Sequence, residues 1–190
     1  MMKVETTGLC NAKLITPTIF TDYRGEFIET FSVRDYKFFY SDGNGYDTHD
    51  RLNFIQDDTS VSYRKTLRGF HGDGVTWKLV SCAYGRLYSV IVDLREASPT
   101  YLQWKGFLLD DKKRQQLLVP AGYGNSYLCL SEQCMYTYKQ TEYYRGADKQ
   151  FTIRWNDPVL GVDWPIANPI LSERDKKGAS VTQLNLKDFE

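Results

Sequence analysis

The chain has 190 residues in which 24 Lys+Arg balance 24 Asp+Glu, so no global field favours nucleic acid or an anionic membrane, and any anion must be held by a local cluster. That length is the size of one domain, read here as residues 1–190, and it is long enough to bury a substantial core. Residues 1–8 lack an apolar signal core, no later run could span a bilayer, and Cys10, Cys82, Cys129 and Cys134 form no CxxC pair; these features imply a cytoplasmic protein with reduced thiols.

Taken in chain order, the dominant hydrophobic period is two rather than 3.6. Short strand-like runs are expected at residues 14–20, 54–62, 78–83, 87–94, 101–109, 115–119, 126–130, 135–141 and 151–154. Gly, Asp and Asn separate them, for example at Gly72-Asp73-Gly74, Asp110-Asp111 and Gly122-Tyr123-Gly124-Asn125. One short helix is expected over 32–39, with Ser32 as its cap, and the polar tail after Lys176 is expected to pack loosely. Many short strands with frequent turns predict an all-β sandwich or barrel. Cys82 and Cys129 lie in apolar runs, where a small buried residue fits.

Only two histidines occur. His49 lies in the polar segment Tyr46-Asp47-Thr48-His49-Asp50 and reads as a loop residue. His71 ends Leu67-Arg68-Gly69-Phe70-His71, and Lys78 follows a short turn later. One imidazole beside an arginine and a lysine cannot build a usual catalytic metal site, which needs about three protein ligands, so no metal is expected. It can be a proton-transfer group next to an anion-binding site. Taken alone, His71 would simply finish a strand and Lys78 would be an exposed charge at the start of the next.

The neighbours change that reading. Phe20-Thr21-Asp22-Tyr23-Arg24-Gly25-Glu26-Phe27-Ile28-Glu29 precedes Gln56-Asp57-Asp58-Thr59-Ser60 and the His71 segment. Val92-Asp93-Leu94-Arg95, Val119-Pro120-Ala121-Gly122-Tyr123 and Tyr138-Lys139-Gln140-Thr141-Glu142 come next. Trp155-Asn156-Asp157-Pro158, Gly161-Val162-Asp163-Trp164-Pro165 and Leu171-Ser172-Glu173-Arg174-Asp175 close the series. In order and spacing, residues 15–176 resemble the dTDP-4-dehydrorhamnose 3,5-epimerase family of cupin-fold nucleotide-sugar enzymes. The resemblance implies a double-stranded β-helix, or jelly-roll barrel, with a few short helices.

It also implies a nucleoside diphosphate sugar substrate whose C4 ketone acidifies C3 and C5, and chemistry without a cofactor. His71 matches the family's base and Asp175 the carboxylate that fixes its tautomer. Lys78 matches the lysine that stabilises the enolate, and Tyr138 the acid on the opposite face. Spacing alone does not choose between Tyr136 and Tyr138, which share a strand face; the family position selects Tyr138, and Tyr136 sits where the family has another aromatic. Arg24 and Arg68 match arginines that hold the diphosphate, a role suited to the planar guanidinium fork. Phe27, Glu29 and Gln56 match positions around the base and ribose. Arg68 and His71 are three apart, so a regular strand would turn them to opposite faces; a bulge at Gly69, or contacts from two sides of the strand, would resolve this. Family members are dimers in which an N-terminal strand crosses to the partner, and the same homodimer is expected here.

Departures from the family pattern cluster where substrate is read. Asn125 replaces a histidine, and an amide cannot shuttle a proton near neutrality. Asp58 stands where asparagine is usual, Gly72-Asp73 replaces an aromatic-Gln pair, and the loop to Lys78 is shorter. The Tyr123-Gly124-Asn125 pattern resembles the branch acting on GDP-linked 4-keto sugars, including heptoses of bacterial capsules. The expected activity is thus inversion of C3 and C5 of an NDP-4-keto sugar, a GDP-4-keto-heptose or a dTDP-4-keto-6-deoxyhexose, for surface polysaccharide synthesis. The alternatives are a C3-only epimerase, a 3,4-ketoisomerase and a non-catalytic sugar-nucleotide-binding cupin.

Overall fold

The computed structural model describes residues 2–36, 39–41 and 47–189, with 39–41 and 47–51 described by backbone alone. The chain runs through β1 (Lys3–Thr6), β2 (Lys13–Thr16), β3 (Ile19–Asp22) and β4 (Gly25–Ile28), then β5 (Phe39–Ser41) and β6 (Asp47–Arg51). Next come β7 (Gln56–Tyr63), β8 (Leu67–Gly72), β9 (Lys78–Tyr84), β10 (Arg86–Asp93) and β11 (Trp104–Asp110). The last strands are β12 (Gln116–Val119), β13 (Tyr123–Cys129), β14 (Gln133–Gln140) and β15 (Phe151–Thr152), followed by one helical turn, α1 (Glu173–Lys176).

Two antiparallel sheets carry the fold. One has the order β1-β2-β12-β9-β14-β7 and the other β11-β10-β13-β8-β15, so strands neighbouring in space are distant in sequence. That interleaving is the jelly-roll arrangement of a cupin, as the periodicity and the resemblance both implied. The expected run 14–20 is split into β2 and β3 around Pro17, which has no N–H for a ladder. The β3–β4 hairpin pairs only with itself.

Alternation assigns each strand two faces. Val80, Cys82, Leu87, Ile91, Leu117, Cys129, Cys134 and Tyr136 form the core between the sheets. The odd residues of β10 face inward and its even residues outward, where Val90 and Val92 pack under Phe151, Ile153, Leu160 and Val181. Burial on both faces is why β10 reads as a nearly unbroken apolar run. A fully buried side chain such as Ile91 contributes about 1.5–3 kcal/mol over its exposed state. A third cluster, Ile15, Tyr36, Trp77, Leu79 and Leu118, covers the outer face of the six-stranded sheet.

Three local expectations are corrected. The helix over 32–39 is one turn, with Tyr36 N–H donating to Ser32 O at 2.9 Å, and Phe39 belongs to β5; residues 37 and 38 lie outside the described ones. His49 lies in β6 rather than in a loop, because β5 and β6 pair as a small ribbon. The tail after Lys176 is docked, not loose: Val181 is buried, and Leu184, Leu186 and Phe189 pack against the outer apolar face of β10 and β15. That face needs a cover, and most polar residues of the tail, such as Lys177, Thr182, Lys187 and Asp188, stay exposed. Among the described residues no helix is long and apolar enough to cross a membrane.

Candidate active site

Between the two sheets, at one end of the sandwich, a cavity of about 340 Å³ is lined by Arg68, His71, Lys78, Asn125, Tyr138 and Arg174, together with Tyr136, Tyr144, Ser172 and Asp175. Strands of both sheets meet here. β8 and β13 deliver the arginine, the histidine and the asparagine, and β9 and β14 deliver the lysine and the tyrosines.

β8 reaches the cavity through an irregularity. Tyr127 pairs with Arg68 and Asn125 with His71, so three residue steps on β8 oppose two on β13. This bulge resets the alternation and places Arg68 and His71 on one face. Gly69 sits in it at φ 110°, and a Cβ there would lie 2.5 Å from Asn125 O. Only glycine fits. Of the two resolutions left open by the spacing, the bulge is the one realised. The turn at Gly72-Asp73-Gly74 does not close a hairpin, because β8 and β9 lie in different sheets; it carries the chain across so that Lys78 faces His71 over the cavity.

His71 Nε2 lies 2.6 Å from Oδ1 of Asp175, whose side chain is almost fully buried while the imidazole is about one quarter exposed. Oδ1 also accepts from Gly69 N–H at 3.3 Å, and Oδ2 accepts from Ser172 Oγ at 2.7 Å. Burial alone would raise Asp175, but the bonds from His71 and Ser172 outweigh it and hold the carboxyl below its ordinary range. Burial pushes His71 below 6.5 despite the opposing bond to Asp175, and the charges of Arg174 and Lys78 push the same way. With Nε2–H given to a carboxylate, Nδ1 keeps the free lone pair, so the ring is a neutral base at neutral pH.

Burial also lowers Lys78 from its ordinary value. Its ammonium lies 5.3 Å from the centre of the Tyr138 ring. Tyr136 and Tyr138 do share a face, yet they differ in state. Tyr136 is buried, stacks on Tyr127 at 4.2 Å and accepts Asn125 Nδ2–H at 2.8 Å. Tyr138 is partly open to the cavity, and its hydroxyl is pushed up to about 12 by burial first and then by the charge of Asp58, its cross-strand partner on β7. Gln56 bridges this pair to the cavity wall, donating to Asp58 Oδ2 at 2.8 Å and accepting Tyr144 N–H at 3.0 Å.

The chain does not bring all the sequence candidates together. Arg24 is exposed on the β3–β4 hairpin, ion-paired with Asp22 at 2.6 Å, and lines a separate shallow depression with Phe20 and Phe27. Glu29 is exposed just beyond it. Arg68 is at the cavity mouth, its Nε donating to Ser62 Oγ at 3.0 Å. Several cavity residues escaped the sequence reading, among them Tyr144, Ser172 and Arg174. Arg174 donates from Nε to Thr152 Oγ1 at 2.7 Å, while its buried Nη2 has no hydrogen-bond partner among the described residues. Its only sequence signal was its place beside Asp175 in Leu171-Ser172-Glu173-Arg174-Asp175.

An acid–base set around a cavity with three cationic side chains can move protons on an anionic substrate. A family model described as dTDP-4-dehydrorhamnose 3,5-epimerase matches residues 6–183. A protein of that name from Methanothermobacter thermautotrophicus is 37% identical over 175 residues, covering 90% of this chain and 89% of the relative. A solved dTDP-6-deoxy-D-glucose-3,5-epimerase from Legionella pneumophila, in complex with dTDP-4-keto-L-rhamnose, superposes with TM-score 0.87 at 31% identity, covering 99% and 97% of the two chains. A 3'-monoepimerase from Streptomyces bikiniensis, in complex with dTDP-quinovose, gives TM-score 0.80 at 27% identity, covering 92% and 86%.

Proposed function

From the premise that this chain belongs to the dTDP-4-dehydrorhamnose 3,5-epimerase family, and is thus an epimerase of the isomerase class, we propose that it inverts C3 and C5 of a nucleoside diphosphate 4-keto sugar. The observation that carries this reading is the His71–Asp175 pair facing Lys78 and Tyr138 across one cavity. His71 Nδ1 takes the proton from the carbon beside the ketone. The C–H electrons become the new C=C bond, and the carbonyl electrons move onto the C4 oxygen, where the Lys78 ammonium stabilises the enolate. Tyr138 returns a proton to the opposite face of the carbon as the ketone re-forms, and solvent restores both groups. Repetition on the other flank of the ketone inverts the second centre.

Arg68 and Arg174 hold the diphosphate, since guanidinium groups at a cavity mouth and wall suit phosphate oxygens. The β3–β4 arm exposes Phe20, Tyr23 and Phe27 and pairs with neither main sheet. Its form supports a homodimer in which the arm of one protomer brings Arg24, Phe27 and Glu29 to the cavity of its partner. Free thiols at all four cysteines suit a cytoplasmic enzyme feeding surface polysaccharide synthesis.

The relatives' names favour a dTDP-linked 4-keto-6-deoxyhexose. A second substrate reading, a GDP-linked 4-keto sugar, is favoured by the Tyr123-Gly124-Asn125 pattern, whose Asn125 donates to Tyr136 in the cavity wall. Incubation in heavy water with dTDP- and GDP-linked 4-keto hexoses and heptoses tests both. Deuterium at C3 and C5 supports the 3,5-epimerase, deuterium at C3 alone a monoepimerase, and none with any sugar overturns the reading.

A further inference from the structure

The hydroxyl of Ser172 is bound twice by one residue. It accepts Asp175 N–H at 3.1 Å, capping α1, and donates to Asp175 Oδ2 at 2.7 Å. The cap bond alone would be an ordinary way to start a helical turn. The second bond is different, because it fixes which way the carboxylate faces. With Oδ2 tied to Ser172, Oδ1 is left for His71 Nε2 at 2.6 Å and Gly69 N–H at 3.3 Å, and turning the planar group would break all three bonds. Both oxygens of a buried carboxylate are therefore satisfied, and its charge is aimed at the imidazole. Ser172 also lines the cavity.

We infer that Ser172 is a positioning residue of the proton-transfer machinery, holding the Asp175 carboxylate in the rotamer that presents Oδ1 to His71 and so fixing the imidazole tautomer. It acts through Asp175 and rests on the reading of His71 as the base. The charged groups around His71 are Asp175 and Arg174 from α1 and Lys78 from β9. Only Asp175 raises its affinity for a proton, against burial and the two cations. A carboxylate free to turn away leaves burial unopposed, so His71 protonates at lower pH and loses its preference for the Nε2–H tautomer.

Ser172→Gly separates this role from capping, because glycine is itself a tolerated N-cap but carries no donor. Two readouts are taken: NMR titration of the His71 ring, assigned by comparison with His71→Asn, and steady-state epimerisation. The expected result for Ser172→Gly is a His71 titration moved to lower pH, kcat reduced roughly 10- to 100-fold, as for slight misplacement of a reacting group, and KM little changed. Ser172→Thr, which keeps the hydroxyl, restores both. A Ser172→Gly protein that melts earlier but titrates and turns over as the parent does would show a cap and nothing more, overturning the inference. The titration needs no turnover, so a protein with no epimerase activity on any sugar would sink the functional reading and still decide the role of Ser172.

Discussion

At the scale of single residues, the site is a contest between burial and charge. Burial depresses His71 and Lys78 and raises Tyr138, so each is shifted towards its neutral form. For His71 the sign is plain. A folded value below 6.5 keeps the base neutral through pH 7, and kcat/KM falls only as pH drops through that lowered value. On the alkaline side, Lys78 loses its proton below its ordinary 10.5, while Tyr138 stays protonated to about 12. The alkaline limb is therefore set by Lys78, and Lys78→Arg, which stays charged, should move that limb upward in a pH–rate profile. His71→Asn removes the proposed base and should lower deuterium uptake at both carbons by about 10²–10⁴. Uptake near the parent rate at either carbon would give that carbon another base.

At the scale of elements, the β8 bulge and the docked tail matter most. Gly69→Ala forces a Cβ against Asn125 O and Ser126 Cα and needs a positive φ that alanine resists. It should cost about 1–3 kcal/mol, a fall in Tm of roughly 2–4 °C for each kcal/mol, and should separate Arg68 from His71. Removing residues 178–190 uncovers Phe151 and the outer face of β10 and deletes Val181, together with Ser180, whose hydroxyl donates to Asp157 at 2.9 Å. Calorimetry should show a clear loss of stability; an unchanged Tm would mean that the tail adds nothing to the core.

At the scale of the whole molecule, the arm that bears Arg24 lies apart from the His71 cavity of its own chain, and the proposed dimer would bring it to the cavity of the partner. Light scattering at micromolar concentration should give twice 22.1 kDa. In mixtures of Arg24→Ala and His71→Asn proteins, a dimer holding one of each should have one intact site of two, and so about half the activity of a parent dimer, if the arm crosses. No recovery after subunit exchange would mean that each chain completes its own site. Among the described residues no group of three or more His, Cys, Asp or Glu is placed to hold a metal. Chelator-treated enzyme should keep its rate, and a loss restored by a divalent ion would require a metal in the mechanism.

Period-two patterning and punctuation by Gly and Asp were enough to specify an all-β sandwich, because strand alternation is a local property that each run of β10 or β14 carries in its own residues. The motif order was enough to nominate His71, Lys78, Tyr138 and Asp175. Tertiary structure decided what depends on contacts between distant segments. It brought Asp175 to 2.6 Å from a histidine 104 positions away, a pairing that the resemblance implied but local patterning could not show, and it put Arg68 and His71 on one face through a bulge that only the β13 register reveals. It also sealed Tyr136 while leaving Tyr138 open. Arg174, Ser172 and the docked tail were illegible for the same reason. Their roles come from the partners they meet across the sandwich, and a polar residue in a linear chain carries no sign of which partner it will meet.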